Sequence, residues 1–369
     1  MKTKVLEKVE SKIQTVPERQ SNIELLRIVA TIFILVYHYC IHGAISEIYV
    51  HTMNKIASFF LSTEGQVAVD IFFLITGYFM INSKFKIKKV IKFSLQVFFY
   101  SAIITIFALY QTHQKFEWNS VKSYFMPITH NIYWFPTCYV GIYLLSPFLN
   151  KLINALGKEG CKKFLIFCTI TLSIMPMILN MFFLLTELHW GIFFYVLGAY
   201  IKLYNFEFKN KKTGMLITIL HPICMFILSV AIIMLNKKLG THINKDKCIC
   251  YYSIFSIIGS VGYFLTFKNM KIKQNRIINY FSKISFATYL LTDHQIYRRY
   301  LWFLDLKTEQ MKNSQLPMFL LHVLICVVVV YLLTAVIEFI RVNMLEKPIF
   351  KIKIFDKYLN KIDDGLNSL

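Results

Sequence analysis

An arginine and a histidine interrupt the first long apolar run of this chain, in Glu24-Leu-Leu-Arg27 and then Val36-Tyr37-His38. An arginine at mid-bilayer costs roughly 2.5–3.5 kcal/mol on insertion scales, so two ionisable groups in one such run need a reason. Their spacing is eleven residues. At about 100° per residue this falls within roughly 20° of whole helical turns, with about 16 Å of rise. Both side chains therefore share one face of one helix, with the cation near one membrane surface and the imidazole near the other. An imidazole is a natural general base, and a neighbouring carboxylate fixes its tautomer and stabilises the imidazolium. The acids within reach of apolar runs are Glu24, Asp70, Glu187 and Asp293, and two further histidines, His189 and His294, accompany them.

The elements that must hold these groups are membrane helices. Of 369 residues, 56% are hydrophobic and 17% charged, less charged than a soluble domain usually is. The apolar residues come in runs of about 17 to 25, the length that crosses a bilayer. The chain reads as all-α and polytopic, with about ten spans near 22–41, 66–82, 90–110, 133–150, 163–183, 189–204, 213–235, 249–267, 279–296 and 316–341. The ninth carries Lys283 and Asp293, and the sixth is short. A basic N-terminal tail (1–21), a membrane domain (22–341) and a basic C-terminal tail (342–369) follow from this division. No polar stretch is long enough for a separate soluble catalytic domain. The N-terminal stretch is too long and too charged for a cleavable signal, so the first span is expected to persist.

Formal net charge is +21, which raises the question of nucleic acid. The lysines instead cluster in short loops between apolar runs, the pattern of membrane topology and of no nucleic-acid partner. Lys84, Lys86, Lys88 and Lys89 follow span 2; Lys151, Lys158, Lys162 and Lys163 follow span 4; Lys202, Lys209, Lys211 and Lys212 follow span 6; Lys268, Lys271, Lys273 and Arg276 follow span 8. The tails add Lys2, Lys4, Lys8, Lys12 and Arg19 at one end and Lys347, Lys351 and Lys353 at the other. Every second connection is basic, which puts both termini in the cytoplasm. The exceptions are the 7–8 loop, with Lys237, Lys238, Lys245 and Lys247, and the mixed 9–10 loop. The eight cysteines lie mostly in apolar runs and read as packing residues. Cys248 and Cys250 lack the second ligand pair of a zinc site, so no metal is expected. Pro176 should kink the fifth span. The absence of a clear internal repeat counts against a transporter built from duplicated halves.

This topology assigns depths. Glu24 and Arg27 lie near the cytoplasmic face, and His38 in the outer third. Asp70 falls at the depth of His38, Asp293 and His294 at the outer end of span 9, and Glu187 and His189 at the outer start of span 6. Asp70 is thus a partner for His38, or alternatively the cap of span 2. Arg27 is either part of a site or an arginine reaching the inner headgroups beside Glu24. His38 as a mere packing histidine is the less economical reading, because ionisable groups inside membranes are usually functional. His221, before Pro222 in a loop-like break of span 7, and His322 read as packing residues. The Lys84–Lys89 cluster is either a positive-inside anchor or a phosphate contact.

Together these residues resemble a known family. Arg27 and His38 match the Arg-x10-His signature of the acyltransferase-3 family of membrane acyltransferases. Val69-Asp70-Ile-Phe72-Phe73-Leu-Ile-Thr76-Gly77-Tyr78 resembles its D-x-F-F-x-x-S-G-[YF] motif, with Thr76 in place of serine. Tyr133-Trp134-Phe135, Tyr143-Leu-Leu-Ser-Pro147 and Ser285-Phe-Ala-Thr-Tyr289-Leu-Leu-Thr292-Asp293-His294 follow in the family's order. In the last, Thr292 stands where a histidine is common, with His294 two residues on. The resemblance implies an enzyme of the bacterial cell membrane that carries an acyl group, often acetyl, from cytoplasmic acyl-CoA to a hydroxyl of a surface polysaccharide or its lipid-linked precursor. It implies His38 as catalytic base, Arg27 with Glu24 at the donor, and no bound cofactor, acyl-CoA being a co-substrate. Asp70 would orient His38, and Thr76, Trp134, Tyr289, Asp293 and His294 are candidates for the acceptor or the oxyanion. Partners are the bilayer and, by the same implication, a polysaccharide synthesis complex. The rival readings are a transporter or flippase using His38 and Asp70 as a proton relay, a succinyl-transferring relative acting in exopolysaccharide export, and a non-catalytic module of a synthase complex.

Overall fold

The structure is a computed structural model that describes residues 19–47, 52–113, 117–182, 184–210, 212–240, 250–350, 359 and 362–364. Lys2, Lys4, Lys8, Lys12, Lys211, Lys245, Lys247, Cys248, Lys351 and Lys353 lie outside the described residues. The fold is all-α, with no strand among the described residues. Its main helices are α1 (Ser21–His42), α2 (Met53–Ser62), α3 (Gly65–Met80), α4 (Ile87–Gln111), α5 (Trp134–Thr169), α6 (Glu187–Tyr204), α7 (Lys212–Leu239), α8 (Ile254–Asn269), α9 (Arg276–Thr292) and α10 (Leu316–Arg341). Six helices are long and apolar enough to cross a membrane: α1, α2 with α3, α4, α5 with its extension to Leu179, α7, and α10 with its extension to Ile349. Helix forms over every segment expected from the apolar runs, but α6, α8 and α9 fall outside those six. At 17 residues α9 rises only about 26 Å, short of a full bilayer crossing.

Large apolar residues face outward along α10: Met318, Leu324, Leu332, Val336 and Phe339 are all exposed. In water such a stripe would be a liability, whereas hydrocarbon is its natural solvent. The inward faces are read from periodicity. Ile23, Leu26, Ala30, Ile34 and His38 recur at three- and four-residue steps on α1 and are all buried. Helix α1 sits centrally, packed against α2, α3, α8, α9 and α10. Helices α3 and α6 meet backbone to backbone. A Cβ added to Gly77 would strike the Tyr195 carbonyl, and one added to Gly198 would strike the Leu74 carbonyl. Small residues that admit this approach are the usual device for joining membrane helices.

Two features concern proline and glycine. Within α5, Gly157 has φ 62° and ψ −171°, a conformation outside the helical region that glycine adopts freely. Cys161 Sγ then lies 3.4 Å from the Ile153 carbonyl, eight residues back. A straight helix would separate those positions by about 12 Å, so the helix kinks sharply at Gly157, between the segments read as spans 4 and 5. The kink expected at Pro176 is present as a widened, π-helical stretch over Ile170–Leu179. The break expected at His221-Pro222 is not: α7 runs unbroken from Lys212 to Leu239. Tertiary packing on one side of the helix holds it there, because His221 pairs with buried Glu64 at 2.8 Å.

Candidate functional site

His38 is buried on α1, and its Nδ1 lies 3.1 Å from the Thr292 hydroxyl at the end of α9. That hydroxyl already donates to the carbonyl of Thr288 at 3.0 Å or Tyr289 at 3.2 Å. Its one proton being spent, it accepts from His38 Nδ1–H. The tautomer this assigns leaves Nε2 as the bare, basic nitrogen. Thr292 thus holds the imidazole in one tautomer and one orientation.

The carboxylate beside this histidine is Asp293, not Asp70. His42, one turn after His38, has its ring 5.3 Å from the His38 ring and its Nε2 3.4 Å from Asp293 Oδ1. Arg298 Nη1 reaches the same oxygen at 3.1 Å. The side-chain donor atoms of His38, His42 and Asp293 lie within 4.8 Å of one another. Asp293 arrives there because α9 ends at Thr292: Asp293 leaves helical geometry at φ −116°, ψ 14°. The segment expected to be helical to 296 therefore stops short, and its last residues turn inward.

Asp70 has other work. It lies inside α3, well past the helix start, so it is no cap. Its oxygens accept from Trp190 Nε1 at 2.8 Å and from the Ser256 hydroxyl. It is fully buried and ties α3 to α6 and α8. His294 likewise does not join His38. Fully buried, it directs Nε2 at Ser101 (3.3 Å) and Thr105 (3.4 Å) of α4, between the rings of Tyr124 and Tyr133. Glu187 opens α6, and His189 Nδ1 lies 2.8 Å from the Leu184 carbonyl. His322 meets the Tyr39 hydroxyl at 2.9 Å, as expected of a packing histidine.

On the other side of His38 lies a cavity of about 410 Å³. It climbs α1 from Arg19 to Ile34 and α9 from Ser282 to Tyr289. His38 is one turn beyond Ile34, and Thr292 one turn beyond Tyr289. Four cations line it, Arg19, Arg27, Lys89 and Lys283, against the single carboxylate Glu24. Glu24 is buried, accepts from the Ser282 hydroxyl, and sits 3.8 Å from Arg19 and 3.9 Å from Arg27. Arg27 is therefore in contact with its expected neighbour, yet it faces a cavity and not only headgroups. Lys89, from the Lys84–Lys89 cluster, shares that lining. The far end is apolar and aromatic, with Phe72, Phe135, Phe286 and Tyr289. Thr76 lines the cavity too, its hydroxyl donating back to the Phe72 carbonyl at 2.8 Å. Trp134 stacks on Tyr251, with ring centres 6.1 Å apart.

Two imidazoles and a carboxylate are also the composition of a divalent-metal site. Arg298 competes with such a use, since it already binds the Asp293 oxygen nearest His42. The arrangement is also one in which an imidazole can exchange a proton beside a fixed negative charge.

His42 escaped the sequence reading because the first span was drawn to 41. The available signal was its four-residue spacing from His38, which places both rings on one helix face. Residues 20–338, most of the chain, match the family model described as an acyltransferase domain. No curated protein and no solved structure matches the chain.

Proposed function

The chain belongs to the acyltransferase-3 family of membrane acyltransferases, and from that premise we propose that it moves an acyl group, acetyl by preference, from cytoplasmic acyl-CoA to a hydroxyl of a surface polysaccharide or its lipid-linked precursor. The observation that carries this reading is the cation-lined cavity that ends one turn short of His38. Its basic mouth suits the phosphates of coenzyme A, and its apolar far end suits the pantetheine arm and a short uncharged acyl group. On the orientation read from the loop charges, the mouth opens to the cytoplasm of a bacterial cell membrane.

In this scheme His38 Nε2 takes the proton of the acceptor hydroxyl as that oxygen attacks the thioester carbonyl. Thr292 holds the ring in the required tautomer. Asp293, braced by His42 and Arg298, stabilises the imidazolium as it forms. The proton then leaves with the coenzyme A thiol. Asp70 acts at a distance, by fixing α3 against α6 and α8.

The test is release of free coenzyme A thiol by the purified protein when acyl-CoA and acceptor glycan are both present. A transporter, flippase or non-catalytic module releases none. Mass spectrometry of surface glycans with and without the protein names the acyl group by the ester mass gained, and separates acetyl from succinyl. Arg27→Ala should raise the KM for acyl-CoA about tenfold, the loss of roughly one charge-assisted contact, and leave kcat within about twofold. An unchanged donor KM removes Arg27 from the donor site. Asp293→Asn should lower kcat about 10- to 100-fold with little change in donor KM, since it removes the charge that the imidazolium faces. An Asp293→Asn enzyme with full kcat assigns that carboxylate to structure alone.

A further inference from the structure

We propose that the Tyr289 hydroxyl is the hydrogen-bond donor to the oxyanion formed during acyl transfer, an assignment that rests on the acyltransferase reading above. Acyl transfer passes through a tetrahedral oxyanion, and a donor aimed at that oxygen is the largest single electrostatic contribution in many such enzymes. Of the oxyanion candidates read from the sequence, Thr76, Trp134 and Tyr289 carry a hydroxyl or indole hydrogen. The Thr76 hydroxyl is bound back to its own helix, and Trp134 does not line the cavity but stacks on Tyr251. Tyr289 differs from both. It lines the cavity, its ring centre is 6.0 Å from that of His38, and its hydroxyl is buried and makes no hydrogen bond of good geometry among the described residues, with the Asp293 carboxylate beside it.

A buried hydroxyl without a well-formed hydrogen bond is costly, on the order of 1–3 kcal/mol, and rare enough to ask for a ligand. The ring is held from several directions. Phe135 meets it edge-on at 5.9 Å, Phe286 stacks on it at 6.4 Å and Tyr133 packs at 6.1 Å. The hydroxyl is therefore pre-positioned, as an oxyanion donor has to be. Helix α9 places the two contributions one turn apart: Tyr289 at the carbonyl, and Thr292 behind the base.

The step balances as follows. The acceptor oxygen forms a bond to the thioester carbon, and its proton passes to His38 Nε2. The carbonyl π pair moves to oxygen, which accepts from Tyr289 O–H. Collapse restores the carbonyl, breaks the C–S bond, and sends the proton from His38 to the departing thiolate. Tyr289 keeps its proton throughout, and nothing is oxidised or reduced.

Tyr289→Phe retains the ring and its packing and removes only the donor. Its kcat should fall about 100-fold, with donor KM within about threefold, as for loss of one oxyanion donor. Binding of an S-ethyl coenzyme A thioether, which lacks the carbonyl, should be the same in wild type and variant, and it reports that the variant is folded. A Tyr289→Phe enzyme with kcat within about threefold of wild type overturns the assignment. So does parallel loss of thioether binding, which would mean that the hydroxyl only shapes the site. A wild-type protein that releases no thiol from acyl-CoA sinks the proposed function itself, a result distinct from either.

Discussion

His38→Gln should lower kcat for acyl transfer by about 10³-fold or more, while the protein inserts and accumulates as wild type does. The magnitude is that of removing a positioned general base, roughly 10² to 10⁴. Glutamine is the informative replacement. Its amide is close to the imidazole in length and fills most of the same space without a basic nitrogen, while asparagine, whose amide nitrogen stands at the Nδ1 position, is the variant that keeps the bond to Thr292. What neither amide can do is accept a proton at the position of Nε2. His38→Ala adds a cavity and so confounds chemistry with packing, although it should be equally inactive. The measurement is thiol release from acyl-CoA by purified protein, normalised to folded material eluting as one peak. Full activity in the glutamine variant would remove His38 from the reaction. His42→Gln tests the neighbouring position and should be milder, because His42 touches Asp293 and not the acceptor proton.

The second large effect is on folding. Gly198→Leu, or Gly77→Leu, should leave little folded protein. At both positions even a Cβ would meet the backbone of the facing helix: the Leu74 carbonyl for Gly198, the Tyr195 carbonyl for Gly77. Backbone cannot rotate aside as a side chain does, so α3 and α6 would have to part. Overpacking within a core costs typically 1–3 kcal/mol, and here the separation also strains the Trp190–Asp70 bond that spans the same interface. A buried carboxylate left with fewer donors adds several kcal/mol more. Yield of monodisperse protein and its thermal transition in detergent are the readouts. Wild-type yield with either leucine would show that the two helices are not held in backbone contact. Gly157→Leu is the contrasting case. Nothing lies near the position of its Cβ, so its cost comes from backbone strain alone, about 1–3 kcal/mol for a side chain in a region almost confined to glycine, with no helices forced apart.

Much of this was legible in the chain before its fold was seen, and what was not is instructive. Apolar run length located the helices, because a bilayer sets that length directly. The eleven-residue interval located Arg27 and His38 on one face, because helical phase is a local property. Depth from the loop charges was less informative than it looked. It assigns a position along the membrane normal and says nothing of rotation about a helix axis. Asp70 and His38 share a depth, yet Asp70 points to Trp190 and Ser256. Asp293 meets His42 and Arg298 only because α9 ends early, a matter of tertiary packing. Glu64 drew no notice because it lies just outside the span as drawn, while its partner His221 sits more than a hundred residues away. The cavity itself is a property of five or more helices together, and no single segment announces it. Several motif residues that resemble the family gather around the cavity and the histidines, but the motifs do not say which of them touch.

The aromatic end of the cavity has a consequence for the cell and not only for the reaction. A membrane that stores energy as ion gradients cannot tolerate a wet passage from one face to the other. Phe135, Phe286 and Tyr289 wall the end of the cation-lined space nearest the histidines with rings. A slender thioester arm can be threaded among such rings, whereas a continuous column of water cannot. On the function proposed above, the protein acts as an insulator with one chemical terminal on each side, handing an acyl group across the bilayer without discharging the voltage that the bilayer holds.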